Sequence, residues 1–235
     1  MTSADDVRAA VDAGADAVGI ILAPSPRRVA PADVARVVES LPPYVCGVAV
    51  VADPSPEEIA AAREASMSFQ FCGDESGTTC VAASGGRPYV KVRHLVPARC
   101  YRPSPSLATH VREAQSTETA FLTDVRFTGD EPPATGQLLA DVRAHPLATW
   151  QFDTKVDGKL GGTGYAFDWR AIATFAAAHH VIVAGGLTPH NVGACVRAVR
   201  PFAVDVRGGV ETGGRPDPAK MRAFVRAVRE ADAEA

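Results

Sequence analysis

No apolar run in this chain of 235 residues approaches the ~20 residues that span a bilayer. The N-terminus, MTSADDVRAA, lacks the charged-then-apolar layout of a secretory leader. Neither a membrane partner nor export is expected. Charge of one sign is not in excess: 24 basic and 27 acidic residues leave a net charge of −3. With no basic tract and no long acidic run, nucleic acid is not expected as a partner either. Cysteine is sparse. Cys46, Cys72, Cys80, Cys100 and Cys195 are odd in number and widely spaced, with no C-x-x-C pair and no Cys/His cluster. That argues against a disulfide framework or a metal site and for reduced thiols in a cytoplasmic protein. Hydrophobic residues at 46% and charged residues at 22% are ordinary for a globular chain.

What the chain does contain is a rhythm. Short apolar runs, AVGIIL (17–22), VCGVAVV (45–51), SFQFC (68–72) and RPYVKV (87–92), read as buried strands. Helical stretches lie between them. The chain opens directly on one, and PADVARVVESL (31–41) places Val34, Val37, Val38 and Leu41 on one stripe. SPEEIAAAREA (55–65) has Ser55 as N-cap, Pro56 at the first position and Glu58 at the third, the layout of a capping box. The later half repeats the pattern. Strands are expected at 148–153, 180–186 and 202–209, with helices at 167–179, 188–199 (Thr188–Pro189 as its cap) and 217–231. Repeated βα units with continuous apolar strands mean a parallel sheet covered by helices. The expectation is an α/β protein, a single (β/α)8 TIM barrel over 1–235. An open doubly wound sheet is the alternative. Residues 94–147 break the rhythm with a Pro-rich piece, VPARCYRPSPS, and are expected to hold an irregular insertion with a helix and an extra strand at 120–127.

In such a barrel the chemistry sits where strands end. Asp153 closes one expected strand, with Asp124 in FLTDV as the other strand-end acid. AGGL (184–187) and RGGV (207–210) close the last two strands, and GGTG (161–164) follows Asp153. Glycine turns ahead of helix N-termini let backbone N–H groups approach an anion. Tight turns alone also need glycine, so this signal has two readings.

The pieces GADAVGIILAPSPRRVAP, SPEEI, FQFCGDE, FDTK…GGTGYAFDW, AGGLTPHNV and PFAVDVRGGVE span nearly the whole chain. In this order they resemble the phosphoribosylanthranilate isomerase family, the Amadori-type isomerases of tryptophan biosynthesis. The resemblance implies a TIM barrel. It implies conversion of an N-linked ribosyl phosphate into an open-chain aminoketose, with no metal or organic cofactor. Asp153 matches the family's general acid, and Arg27 the arginine that holds the anthranilate carboxylate. Gly162, Gly164, Gly185, Gly186, Gly208 and Gly209 match the phosphate-facing loops. The only partner expected is a small phosphosugar, taken by a monomer or homodimer.

The chain departs from the family in three places. The family's base is a cysteine in a strand reading K-[I/V]-C-G-[I/L/M]-T. This chain begins Met1-Thr2, as if inside that motif, so the first barrel strand and the general base are expected to be missing from it. A start site placed too far downstream is one explanation, and a real loss is the other. QFCG puts Cys72 where the family has histidine, which makes Cys72 the in-chain substitute base or an inert thiol. DVRGGVE puts Arg207 and Gly208 where the family has two serines, so Arg207 either pairs with the phosphate or points outward. These departures keep two alternatives open: an isomerase of a related N-ribosyl phosphate, and a phosphosugar-binding barrel without catalysis.

Overall fold

A computed structural model describes residues 1–95, 135–154 and 169–234. The extra strand expected at 120–127, Asp124 within it, and the loop with Gly162 and Gly164 lie outside the described residues. Seven strands form one sheet in chain order: β1 Ala17–Ile21, β2 Cys46–Val51, β3 Ser68–Phe71, β4 Tyr89–Leu95, β5 Ala148–Thr154, β6 Val181–Val183 and β7 Ala203–Val204. The pairings β1–β2, β2–β3, β3–β4 and β6–β7 are parallel. The strand order never reverses, whereas a doubly wound sheet requires a reversal, so that alternative falls. Eight helices accompany the strands among the described residues: α1 Ala4–Asp12, α2 Val34–Val38, α3 Pro56–Glu64, α4 Gly77–Ser84, α5 Thr135–Ala144, α6 Ala173–Ala176, α7 Val192–Val199 and α8 Pro218–Ala233. None is long and apolar enough to cross a membrane.

The described residues fall into two compact units. One comprises 1–92 with 136–150, the other 93–95, 135, 151–154 and 169–234. In the first, α1 is capped by Ser3, whose side chain accepts from the Asp6 amide. The capping box of α3 is present in full: Ser55 accepts from the Glu58 amide at 3.2 Å, and Glu58 accepts from the Ser55 amide at 2.9 Å. Strand residues two apart share a face. Phe69 and Phe71 therefore stack with centroids 5.5 Å apart, and Tyr89 meets Phe71 edge-on at 5.4 Å. Each fully buried aromatic of this kind contributes about 2 kcal/mol or more. Strand β1 is buried on one face only, although its apolar run suggested both. Val18 and Ile20 are covered, while Ala17 and Gly19 between them are exposed. Trp150 is 4% exposed and packs edge-on against His145 at 5.6 Å.

In the second unit, α7 and α8 pack together, and Val192 and Val196 of the one and Met221 and Phe224 of the other are buried. Trp169, 6% exposed, opens a 3-10 turn, Trp169–Ile172. The indole N–H groups of both Trp150 and Trp169 have no hydrogen-bond partner among the described residues.

Several expected elements are shorter or shifted. The 31–41 helix starts as a 3-10 turn at Pro31–Asp33 and is helical only over α2. The 167–179 helix is the 3-10 turn plus the four-residue α6, whose capping residue Ile172 offers no side-chain acceptor. Helix α7 begins at Val192 and not at Pro189, because Thr188 and Asn191 form a turn of their own ahead of it. Strand β7 is two residues long, and Gly208–Val210 is a 3-10 turn. Two elements were not anticipated: α4, and a hairpin β8 Glu211–Thr212 with β9 Arg215–Pro216. Of the stretch 94–147, the described part after 134 opens with α5.

Candidate active site

The strongest concentration of chemistry lies in the second unit, at the C-terminal ends of β5, β6 and β7. Backbone bonds continue past the strands: the Ala184 amide donates to the Phe152 carbonyl at 2.8 Å, and the Asp205 amide to the Val183 carbonyl at 2.9 Å. Asp153, the Gly185 turn and Asp205 are thereby set side by side. Gly185 and Gly186 both have positive φ, 82° and 67°, a conformation other residues adopt only under strain. The approach is tight as well. A Cβ on Gly185 would lie 2.6 Å from Asp153 Oδ1 and closer still to the Thr154 amide nitrogen. Asn191 pins this turn. Its Oδ1 accepts from the Thr188 amide at 2.7 Å, and its Nδ2 donates to the Gly186 carbonyl at 2.9 Å. Gly209 is equally confined, since a Cβ there would overlap the Leu187 carbonyl oxygen.

Burial, with the neighbouring Asp205 adding to it, pushes the Asp153 carboxyl up to about 6 against the Thr154 amide and Arg207, which pull it down. Asp205 is exposed as a residue, yet the protein packed around its carboxyl raises that group too, through desolvation. Gln151 Nε2, donating to Asp205 Oδ2 at 3.0 Å, and the charge of Arg207 oppose that rise. Two carboxyls and one guanidinium thus share a corner. A carboxyl that is protonated near neutrality can donate a proton.

The first unit contributes other strand ends. Arg27 is half-buried in the loop after β1, its amide donating to Ser25 Oγ at 3.2 Å. Arg28 beside it has a structural job: Nε donates to the Leu22 carbonyl at 2.8 Å and Nη2 pairs with Glu58 at 2.9 Å. Cys72 follows β3, its amide donating to the Val51 carbonyl at 2.8 Å and its sulfur 3.8 Å from Gln70 Nε2. Next to it, Lys91 and Glu75 form an ion pair at 2.7 Å with side chains only 8% and 1% exposed. Lys91 Nζ also donates to the Gly73 carbonyl at 2.7 Å, and Glu75 accepts from the Asp53 amide at 2.8 Å. Burial pushes the Glu75 carboxyl up, but these hydrogen bonds outweigh it and hold the group below its ordinary value.

The family model for N-(5'phosphoribosyl)anthranilate (PRA) isomerase matches residues 1–227. The chain belongs to the PRA isomerase family. A relative from Desulforudis audaxviator, named N-(5'-phosphoribosyl)anthranilate isomerase, is 37% identical over 233 residues, covering 98% of this chain and 96% of its own. One from Pseudomonas fluorescens with the same name is 37% identical over 236 residues, covering 99% and 94%. Among solved structures, phosphoribosyl anthranilate isomerase from Thermotoga maritima superposes with a TM-score of 0.68 at 25% identity, covering 98% of this chain and 96% of that one.

Of the residues expected from sequence, Asp153, Gly185, Gly186 and Arg207 meet in one corner of the second unit, with Gly208 and Gly209 on the turn that follows Arg207. Arg27 and Cys72 belong to the first unit. Three residues went unread. Asp205 is an acid inside AVDVRGG, Gln151 a polar residue inside an apolar strand, and Asn191 the residue that locks the glycine turn. Asp205 and Gln151 carried a legible signal, since each is polar where a buried parallel strand is ordinarily apolar.

Proposed function

We propose that this chain converts N-(5-phosphoribosyl)anthranilate into its 1-deoxyribulose 5-phosphate derivative, the Amadori step of tryptophan biosynthesis. The observation that carries the reading is the Asp153 carboxyl, lifted to about 6 at the end of β5. In this reading Asp153 protonates the furanose ring oxygen, opening the ring to a Schiff base, and a base then removes the C2 proton. Arg27 takes the anthranilate carboxylate through its guanidinium fork. The turns at Gly185–Gly186 and Gly208–Gly209 face the phosphate and Arg207 adds positive charge there; the resemblance gives Gly162 and Gly164, outside the described residues, the same role. The seven sequential parallel strands are read as part of a (β/α)8 barrel with an insertion ahead of β5.

The test is Asp153→Asn. Turnover of phosphoribosylanthranilate should fall by ~10² or more, while a product analogue still binds. Unchanged turnover removes Asp153 from the acid role and turns attention to Asp124. Cys72→Ser, run in parallel, tests whether that thiol is the base: loss of turnover assigns it the role, and unchanged activity leaves the role to another group.

A further inference from the structure

We propose that Gln151 is a positioning residue of the acid site: its side-chain amide fixes the Asp205 carboxylate beside Asp153. The proposal rests on the reading of Asp153 as the general acid. Gln151 and Asp153 are two apart on β5 and therefore share a face of the strand. Gln151 is 2% exposed. A buried amide in a parallel strand is costly unless it is hydrogen-bonded, and its Nε2 has a partner: Asp205 Oδ2, at 3.0 Å. Strand β5 thus carries both the acid and the donor that holds the acid's neighbour.

The chemistry runs through two steps. A donor on a carboxylate favours its ionised form, so Gln151 keeps Asp205 charged against desolvation. A charged Asp205 next to Asp153 makes ionisation of Asp153 unfavourable, so Asp153 keeps its proton. Among the described residues of this unit, Arg207 is a charged side chain that acts on both and opposes the second step. Loss of the amide should let Asp205 take up a proton or turn away. Asp153 then ionises at lower pH. An acid is active only while protonated, so the high-pH limb of kcat/KM should move to lower pH.

The experiment is a pH profile of kcat/KM for the full chain, Gln151→Met, Asp205→Asn, the double variant and Asp153→Asn. Methionine matches glutamine in volume and removes the donor. Gln151→Met should move the high-pH limb down by about half a unit or more and lower kcat with little change in KM. In the Asp205→Asn background the same substitution should add no further shift, because the amide would have nothing left to hold. A shift of equal size in both backgrounds, or no shift from Gln151→Met while Asp205→Asn gives one, overturns the proposal. Asp153→Asn separates the two readings: if its high-pH limb survives, the limb belongs to another group and the acid assignment itself fails. Gln151→Leu gives the same comparison should the methionine variant not fold.

Discussion

Gly185→Ala tests whether the acid and its turn are one mechanical object. The added methyl would sit 2.6 Å from Asp153 Oδ1, against ordinary van der Waals contact, so the turn or the carboxylate must give by ~1 Å in a matrix packed to crystal density. Two costs combine. Alanine at φ +82° costs roughly 1–2 kcal/mol from its backbone alone. Forcing a methyl into a filled site adds roughly 1–3 kcal/mol. At about 2–4 °C per kcal/mol for a chain of this size, the melting temperature should fall by some 5–15 °C. The catalytic effect is separate: a misplacement of ~1 Å is worth ~10²-fold in rate. Thermal denaturation by circular dichroism and steady-state turnover read the two effects. A variant that melts within a degree of the parent and turns over within twofold would refute the reasoning, because the contact would then relax at no cost.

Arg27→Ala should weaken binding of a carboxylate-bearing product analogue much more than binding of ribose 5-phosphate; titration calorimetry with both ligands checks this, and equal losses move Arg27 away from the carboxylate. Lys91→Met leaves the Glu75 charge buried without its cation and should cost ~3–5 kcal/mol in urea denaturation. The Glu75 carboxyl is held low, so its contribution is present above the ordinary carboxylate range of about 4.3 and is lost as pH falls through the folded value; acid melting should accordingly be shallower in Lys91→Met. Asp153 has the opposite sign. Its folded value is raised to about 6, so its contribution is full below ~3.9 and lost as pH rises through 6. Asp153→Asn should therefore be more stable than the parent at pH 8 and not at pH 4, as read by parallel melts.

The strands were legible because each is an apolar run bounded by turn residues, and α3 was legible to the residue because Ser55, Pro56 and Glu58 state the cap outright. Helix α4 was missed although its ends are marked by Ser76, which accepts from the Thr79 amide, and by Gly85 at φ 67°. Its body, GTTCVAAS, shows no apolar stripe, so periodicity gives no helical signal there. The β8–β9 hairpin turns at Gly213 and Gly214, with φ of 58° and 77°, a two-glycine turn that short flanking strands made easy to pass over. Asp153 could be chosen from its strand end alone. The Asp205–Gln151 bond could not, because its partners are 54 residues apart and a pairing across strands leaves no local spacing to read.

The two tryptophans of the chain fall one to each compact unit, both with their indole rings out of water. The molecule thus carries its own pair of optical reporters. Native emission should be blue, and each indole reddens only when its own unit opens. Replacing Trp169 by phenylalanine leaves a fluorophore that watches Trp150 alone, and the reciprocal change isolates the unit with the acid. His145, 5.6 Å from the Trp150 ring, quenches its neighbour when it gains a proton, so the first reporter also senses acid. Unfolding followed at two wavelengths would show whether the half that holds Asp153 melts with the half that holds Arg27 or before it.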